Sequence, residues 1–294
     1  MSEGSWTTSN RQSNARVVDL RCDIFKPGAF CDFAMRTFLI CHEDDPLNRV
    51  AMPRWLASFS TLAGTIVLRD TSEHKRRRIK REMKRVGGWR LLDVFAFRFY
   101  YAMFLAATDR QWEQAKLETL CRRYPPFPES SPVLVSPSPN TAECREFIKS
   151  VAPDLMIARS KFMLKEEIFT IPSRGTFVMH PGICPEYRNS HGCFWALAHD
   201  DLDRVGMTLL RIDRGVDTGP VFGYYRCDYD ERKESHVVIQ ARTVFDNLDV
   251  LQEKLTEIYD GRAVPIDVNG RKSAAWGQPW LTKYLSWKRA ARQR

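Results

Sequence analysis

The 294-residue chain has no CxxC pair among its eight cysteines, no GxGxxG loop, no internal repeat and no long uncharged apolar run. Without paired cysteines a zinc ribbon is excluded. Without a glycine-rich loop behind the first apolar run, a dinucleotide site has no support. No hydrophobic segment follows a basic start, so no secretory signal is read. Cys22, Cys31, Cys41, Cys121, Cys144, Cys184, Cys193 and Cys227 are scattered. Reduced, mostly buried thiols in a cytoplasmic protein are therefore expected. The stretch nearest to a membrane span, LLDVFAFRFYYAMFLAA (91–107), is short and holds Asp93 and Arg98. A spanning helix needs about 20 apolar residues with few charges. The segment reads instead as a buried or lid-like helix, or as one docked peripherally on a membrane surface.

Hydrophobic residues make up 44% of the chain and charged residues 28%, ordinary for a globular fold with one large core or two small ones. The net charge of +9 is unevenly placed. Residues 73–90, EHKRRRIKREMKRVGGWR, carry +7, and residues 271–294 carry another +7, leaving the remainder at −5. A mildly acidic body with two basic appendages follows. Such runs attract phosphate-rich partners or anionic membranes, and they also occur as solvated helix faces. Residues 74–90 are expected to be helical, with Lys75, Arg76, Arg78, Lys80, Arg81, Lys84 and Arg85 in water.

The first 16 residues, rich in Ser, Thr and Asn, read as part of a flexible arm over 1–33. The main domain is expected over 34–265, followed by a basic tail over 266–294. RTFLIC and AGTIVLR read as buried strands, and HEDDP as the turn between them. Val133–Val135 reads as a short strand inside a Pro- and Ser-rich stretch. Asn140 then caps a helix over TAECREFIKSV. LMIA, 176–180 and 205–212 continue a parallel sheet with right-handed crossovers, and 236–260 is helical by its apolar spacing. The fold class is α/β, three-layered, with a Rossmann-like, mostly parallel sheet.

In such sheets ligands sit beyond the carboxyl ends of the strands. His180 ends one expected strand, and Asp217 lies in the loop after another. A histidine titrates near neutrality and serves as acid or base, and a carboxylate beside it orients the ring. The turns HPG and VDTG suit short loops at that edge. His180 alone also reads as a hydrogen-bonded core residue. Cys184 and Cys193 lie near His180 and His191, but the spacings fit no standard metal site, and none is expected.

The segment VMHPGICPEYRNSHGCFWALAHDDLDRVGMTLLRIDRGVDTGPV resembles the central segment of the folate-dependent formyltransferases. The family pattern is a strand ending in Asn-x-His-Pro-Ser/Gly, then Leu-Pro-x-Tyr/Trp-Arg-Gly, a helix with Trp-Ala, a Gly-Val/Met-Thr strand and Asp-x-Gly. His180-Pro181-Gly182, Pro185, Tyr187-Arg188, Trp195-Ala196, Gly206-Met207-Thr208 and Asp217-Thr218-Gly219 follow it in order. The likeness is strong over about 150–225 and diffuse before that. It implies N-formyl transfer, a one-carbon reaction, from 10-formyltetrahydrofolate as donor to a primary amine of a small metabolite or amino sugar. It implies His180 as oxyanion partner and proton shuttle, and Asp217 as the group that orients water or the imidazole and moves the amine proton. Arg188 falls among the substrate-facing residues. The loop after the folate-lining strand implies donor contacts at Ala158, Arg159, Ser160, Phe162 and Met163, together with Gly182. Arg159 and Lys161, unusual there, read either as a grip for an anionic acceptor or as surface charge. Relatives acting on methionyl-tRNA carry a C-terminal barrel-like domain that the residues after 265 are too few to build, so a methionyl-tRNA acceptor is not expected, while the basic runs keep tRNA open.

One position departs from the pattern. Where the family has Asn, this chain has Val178. Three readings stand: Asn189 or His191 replaces the amide; the reaction is a variant such as formyltetrahydrofolate hydrolysis; or the pocket only binds a folate or nucleotide.

Overall fold

A computed structural model describes residues 34–71, 76, 80, 88–124, 126 and 131–294. The expected arm over 1–33 lies outside them, as does most of the run 74–90. Within that run Arg76 and Lys80 are helical and exposed. The described chain from residue 34 onward belongs to a single compact unit.

Its centre is a seven-stranded sheet in the order β3-β2-β1-β4-β5-β7-β8. The strands are β1 (Arg36–His42), β2 (Thr61–Leu68), β3 (Val133–Ser136), β4 (Leu155–Ala158), β5 (Gly175–His180), β7 (Met207–Arg211) and β8 (Val221–Tyr225). β6 (Arg188–Asn189) pairs in parallel with β9 (Ala275–Trp276) in a separate ladder. The first five strands of the main sheet run parallel. Their residues are apolar on both faces because helices cover both sides. On one face Leu39, Cys41, Ile157, Phe177 and Met179 pack with Trp55, Leu251 and Leu255. On the other, Phe38, Ile40, Ile66 and Met156 pack with Cys144 and Ile148.

The helices are α1 (Met52–Ala57), α2 (Gly88–Phe104), α3 (Ala106–Arg123), α4 (Ala142–Val151), α5 (Glu166–Phe169), α6 (Gly192–Ala198), α7 (His236–Phe245), α8 (Leu248–Tyr259) and α9 (Leu281–Gln293). The cap of α4 is Thr141, whose hydroxyl accepts from the Cys144 amide at 3.1 Å. Asn140, expected in that role, instead bridges the Met163 carbonyl and the Lys165 amide. The expected helix over 236–260 breaks at Asp246-Asn247 into α7 and α8.

Two further expectations are corrected. β7 runs antiparallel to β5, with His180 opposite Thr208, and β8 runs antiparallel to β7. The chain leaving His180 turns through a loop, α6 and a short 3-10 turn, then re-enters the sheet at the same edge, so the next strand must run back. The segment 266–294 is no loose tail. Tyr284 and Trp287 of α9 are buried, and they pack with Phe97, Phe194 and Trp195 in a second core of aromatic rings.

Candidate active site

The carboxyl ends of β1, β4 and β5 lie side by side and end at His42, Ala158 and His180. His180 is buried. Its Nε2 lies 2.8 Å from the Tyr187 carbonyl, and its Nδ1 lies 3.5 Å from Asp217 Oδ2. A carbonyl only accepts, so Nε2 carries a proton. Nδ1 faces a carboxylate, which also accepts. The ring bonds on both sides only when both nitrogens are protonated.

The turn beneath the ring leaves no slack. A side chain on Gly182 would meet the Tyr187 carbonyl at 2.5 Å, Gly192 Cα at 2.8 Å and His180 Nε2 at 2.8 Å. Gly182, expected against the donor, therefore faces Gly192 and lets the His180–Tyr187 bond close. Thr208, fully buried on β7, staples the same turn. Its hydroxyl donates to the Gly182 carbonyl at 2.6 Å and accepts from the Cys184 amide at 3.0 Å.

Asp217 is held from the other side. The Asn189 amide N–H donates to Asp217 Oδ2 at 2.7 Å. The Arg188 guanidinium donates to the neighbouring Val216 carbonyl at 2.9 Å. Asn189, His191 and Asp217 all adopt left-handed backbone conformations, with φ of 76°, 55° and 51°. Asn, Asp and His tolerate this region better than most residues, and such strain persists only where surrounding contacts over-determine it.

Of the two expected stand-ins for the family amide, the Asn189 side chain is committed elsewhere. The Asn189 side chain donates to the Trp276 carbonyl across the β6–β9 ladder. His191 is half-buried, with its ring 5.5 Å from that of His236. Burial pushes His191 down to about 4, with Arg98 adding to the effect, and it pushes His236 down as well. Val178 packs against Cys184, Leu210 and Val221. Burial raises the Cys184 thiol, and it pushes Cys193 up to about 12.

Arg159 is not surface charge. Its Nε donates to Asn48 Oδ1 at 2.8 Å, and its Nη1 donates to the Met179 carbonyl, one residue before His180. Asn48 in turn is held by Asp45, at 3.1 Å through its amide N–H and 2.6 Å through its side chain. Burial lowers the guanidinium's pKa, and Asp45 opposes the shift. This chain ties the ends of β1, β4 and β5 together where β4 and β5 have stopped pairing. The sequence showed HEDDP only as a turn, and no local pattern announces that Asn48 meets Arg159 from 111 residues away. Lys161 lies at the rim, 3.6 Å from Asp44. Ser160 accepts from the Phe162 amide at 3.0 Å, and the Phe162 ring stacks on His42 at 5.8 Å. Met163 beside it is 60% exposed. A stacked ring and a free thioether form an apolar ledge that fits a flat heteroaromatic ring.

No protein-family model matches the chain. It is 27% identical over 161 residues to a methionyl-tRNA formyltransferase of Caldanaerobacter subterraneus subsp. tengcongensis, covering 52% of this chain and 49% of that one. It is 33% identical over 91 residues to that of a Thermotoga species, covering 31% and 29%. The chain thus spans about half or less of these relatives. A 4-N formyltransferase from Francisella tularensis has a similar fold, with a TM-score of 0.50, 9% identity and 87% of each chain covered.

Proposed function

We propose that this chain, a relative of the folate-dependent formyltransferases, transfers a formyl group from 10-formyltetrahydrofolate to a primary amine of a small metabolite or amino sugar. The observation that carries the reading is the His180–Asp217 pair, 3.5 Å apart at the carboxyl edge of the sheet, in a segment whose sequence relatives are formyltransferases. The Ala158–Met163 ledge holds the donor, which supplies the formyl carbon. The amine nitrogen bonds to the formyl carbon and its proton passes to Asp217; the bond from that carbon to the donor nitrogen then breaks, and the departing tetrahydrofolate nitrogen takes that proton through the Asp217–His180 pair. His180 acts as oxyanion partner and proton shuttle, its ring fixed between the Tyr187 carbonyl and Asp217. Gly182, Thr208 and Arg188 fix the two loops so that the pair needs no rearrangement.

Val178 favours a second reading, hydrolysis of the same donor. A preorganised amide aimed at a growing oxyanion is typically worth 10²–10³ in rate, and valine offers no donor. Water needs no acceptor pocket, so a site with weaker charge stabilisation and no amine subsite would release formate. The test is to incubate the chain with 10-formyltetrahydrofolate and a panel of amines, and to resolve tetrahydrofolate, formate and N-formyl product by mass. N-formyl amine with little formate supports transfer. Formate alone supports hydrolysis. No turnover together with tight donor binding supports a module that only binds.

A further inference from the structure

We infer that the outer face of α2 docks on the surface of an anionic lipid membrane. Leu92, Phe95, Phe99 and Met103 recur at intervals of three and four residues, which aligns them along one side of a helix. Together with Phe104 and with Leu285 of α9 they are 44–68% exposed. The opposite side of α2 is committed to the core: Phe97 touches Phe194, His236 and Tyr284. The acid of the helix is engaged by α9, since Asp93, half-buried, accepts from the Thr282 amide at 3.0 Å and from its hydroxyl. The outward face is therefore apolar and free of acid.

Cations frame it. Arg98 lies over Phe95 at 5.9 Å, and Arg90 lies over Trp280 at 5.1 Å. Arg76 and Lys80, one helical turn apart and exposed, precede it in a run carrying +7. Arg289 and Arg292 of α9, the helix packed beside it, are exposed too. An apolar stripe flanked by cations is what an interfacial helix presents: the stripe enters the headgroup boundary while Lys and Arg meet anionic lipid. Among the described residues no single helix is long and apolar enough to cross a membrane, and α2 and α3 are bent by 63° at their junction. The helix lies on the surface.

Two other occupants fit the observations less well. A second copy on a twofold axis would bring two identical basic runs together around one patch, and like charges oppose that. A nucleic acid would meet the flanking cations but leave the large apolar side chains without partners.

The test uses the full chain and does not depend on the formyl-transfer reading. The chain is sedimented with vesicles of phosphatidylcholine alone and of phosphatidylcholine mixed with phosphatidylserine, at low and high salt. The expected result is pelleting with the mixed vesicles at low salt and recovery in the supernatant with the neutral ones. Phe95→Ser/Phe99→Ser/Met103→Ser is expected to cut the pelleted fraction at least tenfold while circular dichroism keeps its thermal midpoint. Arg76→Glu/Lys80→Glu should move the dependence on salt to lower concentration. Recovery in the supernatant under every condition overturns the inference. Equal pelleting of the triple serine variant also overturns it, because charge alone would then explain the binding. So does a dimer in light scattering that the triple variant dissolves, or retention of RNA without retention of vesicles.

Discussion

His180 has an acceptor on each side of its ring, and that arrangement sets what its neighbours do. His180→Ala removes the imidazole and Asp217→Asn removes the charge of the carboxylate beside it. Each is expected to abolish formyl transfer, or formate release if hydrolysis is the reaction, with little change in the far-ultraviolet circular dichroism. Gly182→Ala leaves both groups in place, but its new carbon meets the Tyr187 carbonyl and His180 Nε2. Loss of one buried hydrogen bond is worth about 1 kcal/mol, so a fall in kcat/KM of about fivefold is expected. Val178→Asn restores an amide two residues before His180, on the same face of β5. If growing oxyanion charge limits the rate, a gain approaching 10² is expected in the amine-panel assay; an unchanged rate would show that the family's charge-stabilising device has no part here. The His180–Asp217 pair was legible in the sequence because both residues end apolar runs at turns. The fates of Asn189 and His191 were not, because their side-chain directions follow from left-handed backbone conformations that the sequence does not announce.

Between α6 and α7 the half-buried ring of His191 and the buried ring of His236 form a contact that links the elements flanking the site. Arg98 of α2, Lys288 of α9 and His180 of β5 are the positive or protonatable groups bearing on them. Both rings resist protonation in the folded state. As pH falls from 6.5 towards about 4, the unfolded chain takes up protons that folded His191 refuses. Stability should therefore fall across that window, and the loss from His191 should level off below it. For His191 alone the total is on the order of 3 kcal/mol. Urea unfolding midpoints measured from pH 7 to pH 4 check this, and His236→Phe should flatten the slope. The parallel strands were legible because strands buried on both faces must be continuously apolar. The direction of β7 was not, since an apolar run reads the same in either sense. The cap of α4 fell one residue away from the expected one, because Asn140 and Thr141 both suit the position and a tertiary contact to Met163 and Lys165 claims Asn140.

At the scale of the whole molecule, charge and core are not separated as composition suggests. The final basic segment is also a wall of the second core. Trp276 stacks on Trp195 at 5.0 Å, Trp195 Nε1 donates to the Gly277 carbonyl at 2.9 Å, and Arg271 pairs with Glu186 at 2.7 Å. A chain stopped at residue 270 exposes what these groups cover. Burial of Tyr284 and Trp287 alone is worth roughly 3–6 kcal/mol, so a large fall in thermal midpoint is expected by calorimetry, with loss of activity. Counting Lys and Arg identified the segment as basic, but the aromatic residues that bury it are spaced too widely to signal a docking helix by themselves. The β6–β9 ladder has a consequence in time. Asn189, whose amide holds Asp217, is anchored by Trp276, made 87 positions later. Domains begin to fold during synthesis at about 5–20 residues per second. Every strand of the main sheet is thus made several seconds before the loop beside His180 receives its last support. A ribosome-bound chain that has not yet presented Trp276 should be folded in its sheet and inert in its chemistry.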